Sequence, residues 1–281
     1  MGLVNRTGYK FNNLNSLHKI IVIMIFCFIA PFIINTLSFL FQIKEFSIIV
    51  FFDISQDLSR LIYKPWSIIT YAFFHADLWH LLGNMIILHL SGKVVLDLFG
   101  KDTFIKVFVL GILFGALTYL ISYNVFPVFN NVNSSMIGAS AGVMAVFIFL
   151  ASYSPDFKIQ IFFINVKIYY LAILLVVFDI IQIPAGNSGG HLAHLGGAFI
   201  GYYYNKSINK GKDFGVWIMT VYDYLFKKNR IKSSYKKRNF RKKNISVKQK
   251  EIDLILDKIS KSGYDSLSKS EKETLFKAGE K

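Results

Sequence analysis

The stretch Ala193-His194-Leu195-Gly196-Gly197-Ala198-Phe199-Ile200-Gly201 sets a histidine one helical turn before two glycines spaced four apart. On a helix, glycines at that spacing form a small face onto which another backbone can close. The span around it, His191 to about Tyr204, falls short of the ~20 apolar residues that a bilayer helix needs. It therefore belongs inside a bundle, shielded from lipid by longer neighbours. A second stretch of the same kind, Gly138-Ala139-Ser140-Ala141-Gly142, opens another short span that runs to about Tyr153. Two short, small-residue helices, each with one polar side chain near its start, imply an all-α bundle whose centre is polar at one level.

Working outward, four longer apolar runs complete the set: Ile20 to about Gln42, Leu78 to about Leu96, Thr103 to about Val125, and Ile159 to about Ile183. The first has no small-residue cleavage site and is too long for a signal peptide. Residues 44–77 mix charges with aromatics and read as a long interfacial loop with short amphipathic pieces. The composition agrees with a membrane protein. Of 281 residues, 53% are hydrophobic and 17% charged, against ~25% charged in soluble domains. Disorder and a secreted disulfide scaffold are excluded by the apolar content and the single Cys27, which reads as a packing residue. The formal charge of +15 is unevenly placed: residues 1–205 carry +3 and residues 206–281 carry +12. With the N-terminus inside, 29 Lys and Arg fall on the inner side and 3 on the outer, so the basic-residue rule gives six spans with both termini cytoplasmic.

That topology makes the second, fourth and sixth spans begin on the outer side. Ionisable groups inside spans are costly and default to functional hypotheses, and here they share a depth. His80 and Asn84 occupy the first turns of the second span, Ser140 opens the fourth, and His194 lies near the start of the sixth. His80 and Asn84, four apart, share one helix face. Ser and His on neighbouring helices form a nucleophile–base pair, and the oxyanion made by attack on a carbonyl needs preorganised donors. The Ser140 N–H at a helix N-terminus, the Asn84 amide and a His80 N–H would supply them. No carboxylate lies in the fourth or sixth span near the pair, so the expected unit is a dyad.

These segments resemble the rhomboid intramembrane serine proteases. The residues that carry the resemblance are His75-Ala-Asp-Leu-Trp-His80-Leu-Leu-Gly-Asn84-Met, Gly138-Ala-Ser140 and Ala193-His194-Leu-Gly-Gly197-Ala-Phe-Ile-Gly201. They stand in the family's order and on its expected helices, over roughly residues 15–205. The resemblance implies a six-helix transmembrane bundle, with Ser140 as nucleophile and His194 as general base. It places His80, Asn84 and Gly138 around the oxyanion, and Gly197, Gly201, Ala141 and Gly142 as helix-packing support. It further implies cleavage of single-span membrane proteins in or beside their transmembrane segment, without metal or cofactor, in a cell membrane such as the bacterial inner membrane. Two positions depart from the usual pattern: Ala141 where many members have glycine, and Met144 where many have an aromatic that stacks on the base.

Blander readings stand beside these. A lone serine in a helix usually packs, and His194 with His191 could be a metal pair. His75 either shapes the site from the end of the outer loop or is an ordinary interfacial histidine. His89, deeper on the second span, reads as bonding to a neighbouring helix, and His191 as an outer-loop residue above the cavity. Asp179, late in the fifth span, reads as solvated. A metalloprotease would want H-E-x-x-H, which the chain lacks. The alternative from another class is a non-catalytic relative that binds and sorts or chaperones transmembrane helices.

The chain thus divides into a cytoplasmic N-terminus (1–19), a six-span domain (20–205), a basic juxtamembrane linker (206–248) and a small helical segment (249–281). The linker's basic blocks, Lys227-Lys228, Lys236-Lys237-Arg238 and Arg241-Lys242-Lys243, suit anionic lipid headgroups, and no nucleic acid is expected. In the last segment Ile252, Ile255, Leu256 and Ile259 make one apolar face, Gly263 reads as a stop, and Ser268 with Glu271 makes a capping box opening a second helix. This hairpin resembles a small segment fused after some bacterial rhomboids.

Overall fold

The computed structural model describes residues 14–43, 47–161, 163–226 and 251–279. Contacts divide the chain into two units that meet between Tyr222 and Asp223. The first unit is mostly helical. Helix α1, Ser16–Leu40, starts where the Asn15 side chain accepts from the His18 N–H at 2.9 Å. The following loop folds into short pieces: β1 (Ile54–Ser55), α2 (Leu58–Tyr63), which Asp57 caps, and α3 (Ser67–Thr70). The helical stretch Leu78–Val125 then breaks at Gly100, whose φ of 78° and ψ of 175° no helix contains. This gives α4 before the break and α5 after it. Strand β2 (Ser135–Met136) returns antiparallel to β1, setting Met136 opposite Ile54. Next come α6 (Ser140–Tyr153), the hairpin β3 (Lys158–Ile161) and β4 (Ile164–Lys167), α7 (Ile168–Gln182), α8 (Ser188–Asn209) and α9 (Val216–Phe226).

Two expectations change here. The fifth span was read from Ile159, but residues 158–167 pair as a two-stranded hairpin and the helix begins only at Ile168. An apolar run can satisfy a strand as well as a helix, and this one turns back on itself. The basic linker also begins later than expected, because α9 occupies 216–226 and buries Ile218 against the bundle. The basic blocks at 227–243 lie outside the described residues. Ser16–Leu40 and Leu78–Val125 are long and apolar enough to cross a membrane by length and composition, whereas α6 and α7 have 14 and 15 residues. Large apolar side chains stay exposed along α1 and α7, among them Phe26 (70%) and Ile181 (64%), the arrangement a lipid-facing surface requires.

Small residues set the core. A Cβ placed on Gly197 would come within 2.1 Å of the Ala141 carbonyl oxygen, and one on Gly201 within 2.3 Å of the Ala145 carbonyl oxygen. Helix α8 thus lies backbone to backbone along α6. On the other side of α6, a Cβ on Gly111 would meet Ala145 Cβ at 2.4 Å and one on Gly115 would meet Ala141 Cβ at 2.3 Å. Helix α6 is clasped between α5 and α8, and residues 141–151 are buried. A Cβ on Gly142, also expected in a packing role with Gly197, Gly201 and Ala141, would meet the Phe108 ring at 2.9 Å. Toward the far end, Lys106 on α5 pairs with Asp213 at 2.6 Å, and Asp213 also accepts from the Tyr204 hydroxyl at 2.8 Å and the Gly215 N–H at 3.0 Å. Partial burial pushes the Asp213 carboxyl up, and the Lys106 ammonium with the two other donors outweighs it, so the group sits below its ordinary range.

In the second unit a helix over 251–262 ends at Gly263 (φ 76°) and α11, following that helix as α10, spans Lys269–Gly279. The Ser268 N–H donates to Glu271 Oε2 at 2.7 Å and the Glu271 N–H donates to Ser268 Oγ at 3.3 Å, which is the expected capping box. Lys258 Nζ donates to both Glu271 oxygens at 2.9 Å, tying the two helices together.

Two outcomes follow from these contacts. Gly197→Ala forces a backbone apart and should cost about 1–3 kcal/mol, read as a lower unfolding midpoint in detergent. Gly83→Ala, with nothing within 4 Å of the added Cβ, should leave the midpoint unchanged or raise it. In the hairpin, the Lys258 ammonium and the Ser268 donors hold the Glu271 carboxyl down at about 2, from an ordinary 4.5. Its contribution is complete above pH 4.5 and is lost as pH falls toward 2. Amide exchange at Ser268 and Glu271 in the full chain should speed up over that window, and Glu271→Gln should remove the pH dependence.

Candidate functional site

Helix α6 begins at Ser140 after Ala139 as its N-cap, with no side chain capping it. The N–H groups of its first turn therefore have no intrahelical acceptor, and they gather at the nucleophile candidate. The approach is a tight loop. Gly138 has φ 131°, and its N–H donates to the Tyr71 carbonyl at 3.0 Å. A Cβ there would lie 2.6 Å from His80 Cε1, 2.9 Å from His80 Nε2 and 3.7 Å from Ser140 Oγ. Both the dihedral and the space admit only glycine, and the same measurement sets the His80 ring and the Ser140 hydroxyl around one point. Gly138 was expected to help hold an oxyanion. Its N–H is already engaged by Tyr71, so its part is to let His80 and Ser140 approach.

The face of α4 is set by its start. Asp77 caps the helix by accepting from the His80 N–H at 2.9 Å, and Asn84 follows one turn deeper. Asn84 is buried, and its Nδ2 has no partner among the described residues. A buried amide donor left unpaired costs free energy unless something is meant to accept from it. His75 sits against both segments: its ring meets the His80 ring edge-on at 5.1 Å, and its Nε2 accepts from the Ala139 N–H at 3.5 Å. It is 4% exposed. His75 thus lies between the start of α4 and the loop that leads into Ser140. Met144 is buried one turn after Ser140. His89 touches α1 through an edge contact with His18 at 5.8 Å.

His194 reaches this level through the α6–α8 contact. Gly197 faces Ala141 and Gly201 faces Ala145, so the two helices run in the same direction and residue 194 lies level with the start of α6. Its ring then does something the sequence did not signal. His194 Nδ1 and His191 Nδ1 both lie 2.8 Å from Asp179 Oδ1. Asp179 was read as solvated and His191 as a loop residue above the cavity. Instead Asp179 is 3% exposed and His191 sits within α8, its side chain 13% exposed. Asp179 Oδ2 has no partner among the described residues. The three residues also offer one ligand atom each within 4.8 Å of one another, the spacing that would let them hold a metal. The 2.8 Å contacts are ordinary for an N–H donating to a carboxylate. The available signal was the spacing of His191 and His194, three apart, which puts both on one face toward a single partner.

A polar cavity of about 350 Å³ is lined by Gln56, Asp57, Asn124, Asn130, Asn131 and Asn133 among others. The β1–β2 pairing and the Ser134 N–H donating to Gln56 Oε1 at 2.9 Å hold its walls together.

Comparison with known proteins adds family to geometry. A family model described as "Rhomboid domain" matches residues 63–209, a segment that contains His75, His80, Asn84, Gly138, Ser140, Asp179 and His194. A "Family of unknown function (DUF6576)" matches residues 236–278. Arabidopsis thaliana "RHOMBOID-like protein 12, mitochondrial" is 32% identical over 158 residues, which are 52% of this chain and 47% of that protein. The Mus musculus and Rattus norvegicus proteins named "Presenilin-associated rhomboid-like protein, mitochondrial" are each 26% identical over 180 residues, 63% of this chain and 42% of theirs. The chain thus spans about half the length of these relatives or less. Their names are mitochondrial, and they give the expected bacterial inner membrane no support. With the rhomboid model covering just over half of its residues, this chain belongs to the rhomboid family of membrane proteins.

Proposed function

We propose that the chain is an intramembrane serine endopeptidase that cleaves single-span membrane proteins in or next to their transmembrane segment. The observation that carries the reading is the level at which Ser140 and His194 stand, which follows from Gly197 lying on Ala141. Around them are a buried Asn84 amide whose Nδ2 has no partner among the described residues and a His80 ring next to Ser140. A helix-binding relative without catalysis has no use for that combination.

In this mechanism His194 Nε2 takes the Ser140 proton as Oγ attacks the scissile carbonyl carbon. The resulting oxyanion receives hydrogen bonds from the Ser140 N–H, the Asn84 amide and a His80 N–H. His194 then passes its proton to the leaving amine. Water attacks the acyl ester, giving its proton to His194, and free Ser140 is restored. A substrate helix must unwind locally to expose its carbonyl, which small residues ease. Water comes from the polar cavity side. The Ala141 methyl lies against Gly115 on α5, and Met144 is buried one turn after Ser140.

The proposed topology has α1, α4, α5, α6, α7 and α8 crossing the bilayer, with both termini on the cytoplasmic side as the basic residues direct. The 14-residue α6 is compatible with this because its neighbours bury it, whereas α8, expected to be short, runs 22 residues from Ser188 to Asn209 and is long enough to cross. The basic stretch after the bundle would lie on anionic headgroups.

The test is labelling of purified protein by a fluorescent serine-reactive phosphonate. Ser140→Ala and His194→Ala should both lose labelling entirely. Asn84→Ala should label about 10²-fold more slowly, the cost of one oxyanion donor. Equal labelling of the native chain, Ser140→Ala and His194→Ala would sink the assignment.

A further inference from the structure

The carboxylate of Asp179 is spent on two imidazoles. Both His191 Nδ1 and His194 Nδ1 approach the same oxygen, Oδ1, at 2.8 Å. The residue is 3% exposed, and Oδ2 has no partner among the described residues. A carboxylate brought this far from water is costly unless its partners repay the desolvation, and here the two rings are those partners. One of those rings belongs to the proposed base. We propose that Asp179 is a positioning residue for His194, held in turn by His191, so that the working unit is Ser140–His194–Asp179 with His191 as its brace. This rests on the serine protease reading above.

The physical content is specific. A carboxylate oxygen at 2.8 Å from Nδ1 requires a proton on that nitrogen, so neutral His194 presents the Nε2 lone pair to Ser140. When Nε2 takes the Ser140 proton, the ring becomes an imidazolium beside a buried negative charge. That charge stabilises it without itself accepting the proton. His191, one turn before His194 on α8, bonds the same oxygen and stops the carboxylate from rotating away. The contact joins α7 to α8, so the rotation of α7 about its axis decides whether the base is braced.

A purely structural pin predicts something different, and a covalent probe separates the two. With a fluorophosphonate, the Ser140 Oγ–P bond forms, fluoride leaves from phosphorus, and the serine proton goes to His194. The maximal rate of this step, kinact, reads the base, while KI reads the cavity. The full-length protein is compared with Asp179→Asn, which keeps shape and loses charge, and Asp179→Leu, which is apolar and similar in volume. A buried ionic residue replaced by an apolar one of like size often folds as well or better, so the leucine variant covers the case in which asparagine does not fold. The expected result is an unchanged KI with kinact lowered ~10²-fold or more in both variants, at an unfolding midpoint no lower than the native one in at least one of them. Native kinact in a folded Asp179 variant, with Ser140→Ala unlabelled, overturns the proposal and leaves the serine–histidine reading standing. A raised KI at native kinact also overturns it. Labelling of Ser140→Ala at the native rate defeats the serine protease reading itself. Stoichiometric zinc binding by the native chain that Asp179→Leu abolishes, with native labelling unaffected by chelator, assigns the three residues to a metal and overturns the positioning role.

Discussion

Everything at the centre of this protein depends on how closely α6 and α8 touch. Gly197 and Gly201 leave no room for a Cβ against the Ala141 and Ala145 carbonyls, so the helices meet backbone to backbone and in a fixed register. In a lipid environment little hydrophobic drive remains between helices, and close packing of small faces is a main source of their association. Register here is chemistry, because it decides which residue of α8 stands beside the N-terminus of α6. One turn before Gly197 is His194, and one residue before Ala141 is Ser140. A slip of one turn toward the C-terminus would put Gly197 or Ala198 where the histidine stands and leave the serine a packing residue.

The same contact explains why polar groups can be this concentrated in an apolar body. The first turn of α6 is kept short of side chains, so its N–H groups point into the cluster instead of being covered. Gly138 bends the approach and brings His80 alongside, while His75 anchors the loop through the Ala139 N–H. Asn84 keeps an unpaired donor in a buried position. Unsatisfied groups of this kind are normally avoided, and on the proposed reading they would serve charge that develops only during reaction. The Lys106–Asp213 pair ties the bundle together at the end away from these polar atoms.

Much of this could be read from residue order. Glycine spacing alone points to close-packed faces, and the basic-residue rule alone leads to the expectation that Ser140, His194, His80 and Asn84 share a depth. The Ser268–Glu271 box and the Gly263 stop were legible because capping chemistry is local. The misses are nonlocal. Asp179 sits in a run whose neighbours are almost all apolar, and whether it meets lipid headgroups or the two histidines depends on how α7 is rotated against α8. The 158–167 hairpin was folded into a span because an apolar run of that length has no periodicity that separates strand from helix. Nothing in sequence reveals that the Tyr71 carbonyl, 67 residues earlier, accepts from the Gly138 N–H.

The central claim is that this architecture makes one hydroxyl in the chain nucleophilic. Peptide mapping by mass spectrometry after reaction with a phosphonate tests it most directly. The account predicts a single phosphonyl adduct, on the peptide containing Ser140 and localised to its oxygen, and no adduct on Ser134 or Ser135 nearby. An adduct on another residue, or spread over several serines, would contradict it.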